Sequence, residues 1–443
     1  MDSIEDQAMK IAFEQTKLMA NLQNFSFEMF GDTLAQVKNL SLDFAMADDT
    51  IRIDNLFGHA HGIDFWMDST EVWNAYKAFM LEQKDQTIIV NTHIKVGDID
   101  YAPFAYLVEE DTTQLAAADS IPTAEIVAGE SSPTSPDEEE MYIPPYIVRG
   151  TMAVNSVKYG NMLLQNLSTL FRVDESLYVI DKFKLDAFGG SMVTSAVYDT
   201  RNDSLTTVMF KNEIFGMDIH QMLVDGENFG QEDFTHENIS GKLTSSLDGR
   251  VVMQDTTIFY DKIIMKGDLK LEDGGIYNFE PLMEVGKFTN LRELENLVFR
   301  TLETSIFIHK NNIYFPKTSI VSSAVDMAAL GVQSFDSDYQ YHITLFLRDV
   351  LLGKSDNLLK QQGMEKDGFK GDDQSDRKGL FLVAMDRNGE KRHRWDQPAL
   401  RRRMESQINV QSIGLGLVFN PRLVNYSTDL DRREGQTRPQ DNK

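Results

Sequence analysis

The amino-acid sequence predicts a mainly β protein, built on a long and mostly antiparallel sheet with a few short helices. Segments in which every second residue is apolar recur along most of the chain, which is the pattern of half-buried strands. Helical spacing of apolar residues occurs in three short segments, and each of them follows a block of strands. This order argues against the alternating strands and helices of Rossmann folds and α/β barrels.

The N-terminal segment, 1–108, is predicted to be a strand meander with one helix. In "VKNLSLDFAM" the alternation puts four apolar side chains on one face, namely Leu40, Leu42, Phe44 and Met46. A turn at "ADD" leads to a second strand, "TIRIDNLFG". Residues 69–83 begin with Ser and Thr and then carry apolar residues at helical spacing, so we expect a helix there.

Residues 109–141 differ from the rest of the chain in composition. The stretch 109–140 holds ten acidic residues and no Lys or Arg, around a centre rich in Ser, Thr and Pro. Such a segment cannot bury enough apolar surface to offset the entropy cost of ordering. We expect a disordered linker or an exposed loop here, with an acidic recruitment motif as the alternative.

The next region, 142–378, again has strands followed by helices. One strand alternates apolar and charged residues, and its apolar face is made of Phe183, Leu185 and Ala187. The pair Gly189–Gly190 predicts a turn into the following strand, and residues 217–230 predict the second helix. Near the end of the region, a late strand has one face made of Tyr341, Ile343 and Leu345.

Within this region, the stretch "LKLEDGGIYNFEPLMEVGKF" changes character at its Gly-Gly pair. Before the pair, alternation places four residues on one strand face, namely Met265, Gly267, Leu269 and Leu271. After it, apolar residues recur every three positions, which predicts an amphipathic helix over about 280–300. Gly274 and Gly275 would supply the permissive backbone that the change of direction needs.

The C-terminal segment, 379–443, is predicted to be a basic and partly disordered tail. Its first part concentrates seven cations in an otherwise acidic protein: Arg387, Lys391, Arg392, Arg394, Arg401, Arg402 and Arg403. We expect either a solvated helix that balances the acidity of the domain or a segment that touches anionic lipid headgroups.

Composition and charge limit the possible partners. The formal net charge of −26 argues against nucleic acid, because a phosphate backbone is bound by Lys and Arg. There are no cysteines, so disulfides and thiolate metal sites are not expected. The printed sequence contains no basic-then-apolar leader and no apolar run of about 18 residues, so we predict neither a signal peptide nor a membrane span in it.

The sequence also offers no catalytic constellation. It contains no G-x-S-x-G, P-loop, dinucleotide-binding or H-E-x-x-H pattern. His59 and His61 would share a strand face, and Asp54, Asp64 or His93 could complete a metal site, but no further ligand has a characteristic spacing. We therefore expect a non-enzymatic protein without metal or cofactor, and treat a hydrolase with dispersed residues as the remoter alternative.

The order of three segments gives a family resemblance. "DGGIYNFEPL", "FRTLETSIFIHKNNIYFP" and "YQYHITLFL" occur in that order, and residues 142–352 resemble the C-terminal region of AsmA-like proteins, particularly the long ones of Bacteroidota-type bacteria. Residues 35–107 resemble the family more weakly. Members are usually anchored in the inner membrane by one N-terminal helix, which is not recognisable in this sequence.

This resemblance implies a twisted, taco-shaped sheet whose concave face is an apolar groove, as in bridge-type lipid-transfer proteins. It implies phospholipid transport and outer-membrane biogenesis, in the periplasm or at the inner membrane. The partners would be a phospholipid or other lipid, the membrane surface and envelope proteins. The alternative function is an envelope scaffold that binds protein partners and modulates outer-membrane protein assembly, with the acidic segment and the basic tail as docking sites.

The expected groove residues are the alternating apolar side chains of four strands. They are Leu40, Leu42, Phe44, Phe183, Leu185, Met265, Leu269, Leu271, Tyr341, Ile343 and Leu345. Leu282, Val285 and Phe288 of the helix after the Gly-Gly pair would close the end of the groove. The alternative for all of these side chains is the closed core of a β-sandwich.

Overall fold

A computed structural model describes residues 17–28, 36–47, 49–80, 86–102, 144–202, 204–230, 235–254, 257–289, 291–322, 325–335, 338–347 and 379–418. The predicted fold class is confirmed, since this part of the chain holds 19 strands of one sheet and few helices. The chain divides into two compact units. Among the described residues, the first unit holds 17–187 and 193–208, and the second holds 188–192 and 209–418.

The first eight strands lie in the first unit and pair mostly with their neighbours in sequence. They are β1 (Leu18–Glu28), β2 (Gln36–Ala47), β3 (Thr50–Ala60), β4 (Ile63–Trp73), β5 (Ile88–Asp100), β6 (Tyr146–Tyr159), β7 (Met162–Asp174) and β8 (Leu177–Ala187). All of these pairs are antiparallel except β5–β6, which is parallel with Ile88 opposite Tyr146. The next two strands are β9 (Gly190–Asn202) and β10 (Leu205–Asp218).

The parallel pair decides between the two places considered for residues 109–141, a linker and a loop. Parallel neighbours require a long crossover connection, because the chain must return to the end of the sheet where it started. The acidic segment connects β5 to the adjacent strand β6, so it is a connection within one unit and not a linker between two domains. Its own conformation lies outside the described residues.

The second unit continues with strands and with most of the helices. The strands are β11 (Ile239–Gln254), β12 (Thr257–Ile258), β13 (Ile264–Tyr277), β14 (Asn296–His309), β15 (Asn312–Ser322), β16 (Val325–Ser334), β17 (Tyr339–Leu347), β18 (Gly379–Arg387) and β19 (Glu390–Trp395). The α-helices are α1 (Ile219–Asp225), α2 (Glu280–Thr289) and α3 (Pro398–Val418). Short 3-10 turns lie at Glu227–Gly230, Tyr260–Lys262 and Arg292–Leu294.

The main core of the second unit lies on one face of β11–β18. Leu271, Leu302, Ile343 and Leu345 pack there against α1, α2 and the Arg292–Leu294 turn. On the other face, α3 packs Met404, Ile408 and Leu415 onto a second cluster of side chains from β13–β16, namely Ile264, Phe307, Tyr314 and Leu330. Both faces of this unit therefore carry packed apolar cores.

Part of the predicted tail belongs to this unit. β18 pairs with β17 and β19 pairs with β18, so residues 379–395 extend the sheet. The helix that follows covers a core and is not merely solvated. Residues 419–443 of the predicted tail lie outside the described residues.

The helix predictions were wrong at their boundaries, because tertiary pairing overrode local spacing. In 69–83, β4 continues to Trp73, and Asn74 with φ 63° starts only a short π-helix, Tyr76–Met80. In 217–230, β10 runs to Asp218 before α1 begins. In 280–300, the helix ends at Thr289 and Leu297 is already in β14, where it pairs with Ile276.

The Gly-Gly pair was also misread. β13 runs through Gly274 and Gly275 without a break, next to an irregularity in its pairing with β11. A Cβ on Gly274 would lie 2.1 Å from the carbonyl oxygen of Ser240, so a glycine at this position is needed for the close approach of β13 and β11. By contrast, the turn predicted at Gly189–Gly190 is confirmed, since Gly189 has φ 72° between β8 and β9.

Candidate functional site

The first unit carries one continuous apolar face. Residues that pair directly across strands have side chains on the same face of the sheet. One such row runs from β2 to β8 through Leu42, Leu56, Met67, Ile94, Met152, Thr169 and Phe183. A second row runs through Met46, Ile51, Val72, Val90, Val148, Val173 and Tyr178. Apart from the phenol of Tyr178, Thr169 carries the one hydroxyl group among these fourteen positions. Between the two rows, Thr70 and Thr92 hydrogen-bond to each other at 2.9 Å.

The opposite face of the same strands is polar along their middle, whereas Ile89, Ile147 and Val179 are buried apolar side chains at one end of it. A row one residue away runs through Asp43, Asn55, Asp68, His93, Thr151, Leu170 and Lys182. Ion pairs join neighbouring strands there, as between Lys95 Nζ and Asp68 Oδ2 at 3.2 Å and between Arg172 and Asp181 at 2.8 Å. Over the middle of these strands, the sheet of the first unit thus has a solvated polar face and an apolar face.

Most side chains on the apolar face are only half-buried. Phe44, Leu56, Met67 and Ile94 all keep partial exposure, and Met152 is exposed. The one helix described in the first unit, Tyr76–Met80, is bound to the turn between β2 and β3: the Tyr76 N–H donates to Asp49 Oδ1 at 3.0 Å. Within the described residues, it therefore lies at the end of the strands and not across their apolar face.

Of the five predicted groove residues in the first unit, four have side chains that are partly exposed to solvent. Leu40, Leu42 and Phe44 of β2 and Phe183 of β8 are half-buried, whereas Leu185 is buried. Leu42 and Phe44 pair with Leu56 and Ile53, so the apolar face of β2 continues directly into β3.

The predicted groove residues of the second unit are more enclosed. Leu271, Ile343 and Leu345 are 5%, 6% and 0% exposed and belong to the main core. Leu269 and Tyr341 are half-buried and pack against the main core, and Met265 is half-buried as well. Burial raises the pKa of the Tyr341 phenol well above its usual range, and its O–H donates to Gln333 Oε1 at 2.7 Å.

The three residues predicted to close the groove lie on α2. Leu282 and Val285 are buried in the main core, so this side of the helix covers packed side chains. Phe288 is half-exposed, and its ring centroid lies 5.0 Å from that of Trp395. Two of the three residues thus belong to a closed core, and only Phe288 lies at the surface.

One end of the apolar face in the first unit carries phenol groups. The Tyr146 hydroxyl hydrogen-bonds to that of Tyr178, and the Tyr178 ring meets that of Tyr198 edge-on at 5.8 Å between centroids. Burial and the neighbouring Tyr178, Glu175 and Asp174 raise the pKa of Tyr146. Amphipathic rings at the border of an apolar surface suit a boundary between hydrocarbon and polar groups.

A cavity of about 540 Å³ lies on the first unit beside the polar rows. Its lining includes Arg149 and Arg172, which are direct cross-strand neighbours. Arg172 donates two hydrogen bonds to Asp181 at 2.8 Å each, and Arg149 donates to Asn91. Both arginines of this cavity are thus held by hydrogen bonds to side chains of neighbouring strands.

The histidines considered as metal ligands do not assemble a site. His59 Nδ1 lies 2.7 Å from Asp64 Oδ1 across the β3–β4 hairpin, and His61 is in the turn. In the described part of the chain, no group of three or more His, Asp or Glu residues is arranged to hold a metal ion. The same part of the chain has no helix that is both long and apolar enough to cross a membrane.

Comparison with known proteins leaves the family open. No protein-family model, no curated protein and no solved structure matches this chain. Sequence reasoning missed the pairing that makes the apolar face continuous, because the β5–β6 pair joins segments that are 58 positions apart at Thr92 and Gly150. No local pattern encodes that partner.

Proposed function

We propose that this chain is a non-enzymatic lipid-handling protein of the cell envelope, and that the apolar face of the first unit binds acyl chains of phospholipid or another lipid. The observation that carries the proposal is the pair of apolar rows across seven strands, half-buried and without a described helix over them. An apolar sheet face must be covered by another layer or by an apolar ligand.

The apolar face is long enough for an acyl chain, and burying the chain there releases enough free energy to hold it. Strands lie about 4.8 Å apart, so a row across seven strands is about 29 Å long. One leaflet of a bilayer core is about 15 Å thick, so an acyl chain fits along part of one row. Burial contributes about 0.8 kcal/mol per methylene, or about 12 kcal/mol for a sixteen-carbon chain, which makes transfer out of a bilayer feasible.

The cellular role rests on the resemblance of residues 142–352 to AsmA-like proteins. In that setting the protein acts in phospholipid transport and outer-membrane biogenesis, in the periplasm or at the inner membrane. A lipid-carrying face needs no catalytic group, and the polar opposite face of the same strands keeps this unit in contact with water. The phenol groups of Tyr146, Tyr178 and Tyr198 would then border the lipid headgroup.

The test is mass spectrometry of lipids that remain on the purified protein. We expect phospholipid well above the background of a control protein, and strongly reduced amounts after Phe44→Asp. The matched control is Ala45→Asp, because Ala45 pairs with Arg52 on the polar face of the same strand. Circular dichroism verifies that both variants fold. Lipid at background level in the wild-type protein would contradict the proposal and favour the protein-binding scaffold.

A further inference from the structure

The outer surface of α3 combines exposed apolar and basic residues. The inner side of this helix is occupied, because Met404, Ile408 and Leu415 pack on the sheet. On the outer side, Val410 and Ile413 are 62% and 68% exposed, which is high for aliphatic side chains of this size. Both lie one turn apart, so they form a small apolar patch that the core of the protein does not use.

The same side of α3 is basic near its N-terminus. Arg402 and Arg403 are exposed, and Arg402 lies three helical turns before Ile413 on the same side. Arg394 of β19 is exposed on the face of the sheet on which α3 packs. Arg394 pairs with Val383 of β18, which pairs in turn with His342 of β17. Thr344 is the next residue on the same face of β17, and its hydroxyl accepts a hydrogen bond from Arg401 of α3.

Within the residues that the structure describes, three of these arginines are not paired with a carboxylate. In the described part of the chain, Arg394, Arg402 and Arg403 form no ion pair, whereas Arg401 pairs with Glu405 at 3.4 Å. Residues 379–418 contain seven Arg or Lys against four Asp or Glu, in a chain with a net charge of −26. This part of the molecule therefore carries a local excess of three positive charges in spite of the acidity of the whole chain.

We propose that the outer surface of α3 docks on an anionic lipid bilayer. Arg394, Arg402 and Arg403 would bind lipid phosphates, and Val410 with Ile413 would enter the boundary between headgroups and acyl chains. Charge complementarity selects this occupant, since a bilayer presents phosphates directly above hydrocarbon and so satisfies both halves of the surface. Charges farther away than about 8–10 Å are screened at physiological salt, so the overall acidity of the chain does not prevent local attraction.

This inference goes beyond the proposed function and stands apart from it. It concerns contact with the surface of a membrane, whereas the proposed function concerns acyl chains held on the first unit. Either can fail while the other holds.

Sedimentation of the full chain with vesicles tests the inference. The probes are vesicles of phosphatidylcholine alone and vesicles with about one third phosphatidylglycerol. We expect binding to the anionic vesicles that weakens as salt is added. Because each basic residue near such a surface contributes about a fivefold gain in affinity, Arg402→Gln with Arg403→Gln should weaken binding about 30-fold. Val410→Ser with Ile413→Ser should also weaken it.

The matched control is Arg292→Gln with Arg300→Gln. Both residues are exposed, and they lie away from the end of β14 at His309 that α3 contacts. This variant removes the same charge and should bind like the wild-type protein. No binding of the wild type to anionic vesicles, or equal loss in the control, would overturn the inference. Absence of retained lipid after purification would count against the proposed function alone.

Discussion

Replacing Leu345 by Ala tests whether the apolar side chains of the second unit form a closed core. Leu345 is fully buried, and its cross-strand neighbours Met327 and Leu380 are 5% and 0% exposed. The substitution removes about three carbons, which is about 2 kcal/mol of transfer free energy, and a cavity adds to that loss. We expect the free energy of unfolding of this unit to fall by about 3–4 kcal/mol.

Urea unfolding followed by tryptophan fluorescence measures this loss. Trp395 packs against the main core and reports on the second unit, while Trp66 and Trp73 report on the first. The comparison is Phe44→Ala, which removes a half-buried side chain from the open face and should cost only about 1–2 kcal/mol. A loss below about 1 kcal/mol for Leu345→Ala would refute the argument that its surroundings are tightly packed.

Two further predictions concern strand approach and pH. Gly274→Ala should lower the melting temperature by several degrees, because its Cβ would lie 2.1 Å from the Ser240 carbonyl oxygen; an unchanged melting temperature would contradict this close approach. Burial, with a contribution from Lys310, lowers the pKa of His309, which faces α3, below its usual value of 6.5. The stability that depends on neutral His309 is therefore present above about pH 6.5 and is lost as the pH falls below that value. Urea midpoints should show the wild type losing stability relative to His309→Gln over this range, and a constant difference would count against the assignment.

The alternation of apolar residues was sufficient to predict the fold class and many strands. In β2, for example, Leu42 and Phe44 lie on one face and Asp43 on the other, as the period of two requires. The face on which a strand residue lies is set by local backbone geometry, so it can be predicted from the sequence of that strand alone.

Boundaries and burial could not be predicted in the same way. Leu297 continues the helical spacing after α2, but its pairing with Ile276 places it in β14. Leu345 and Phe44 have similar local patterns, yet one is in a closed core and the other is on an open face. The difference depends on which helices pack over each part of the sheet, and that is decided by contacts distant in sequence.

The central claim is that lipid lies on the apolar face of the first unit, and site-specific photo-crosslinking tests it most directly. A benzophenone amino acid is placed at Phe44 or at Asp43, adjacent positions on opposite faces of β2. After illumination in bacterial cells that express the protein, mass spectrometry detects any attached lipid. We predict phospholipid adducts at position 44 and few at position 43. Equal labelling at the two positions, or none at position 44, would contradict the account.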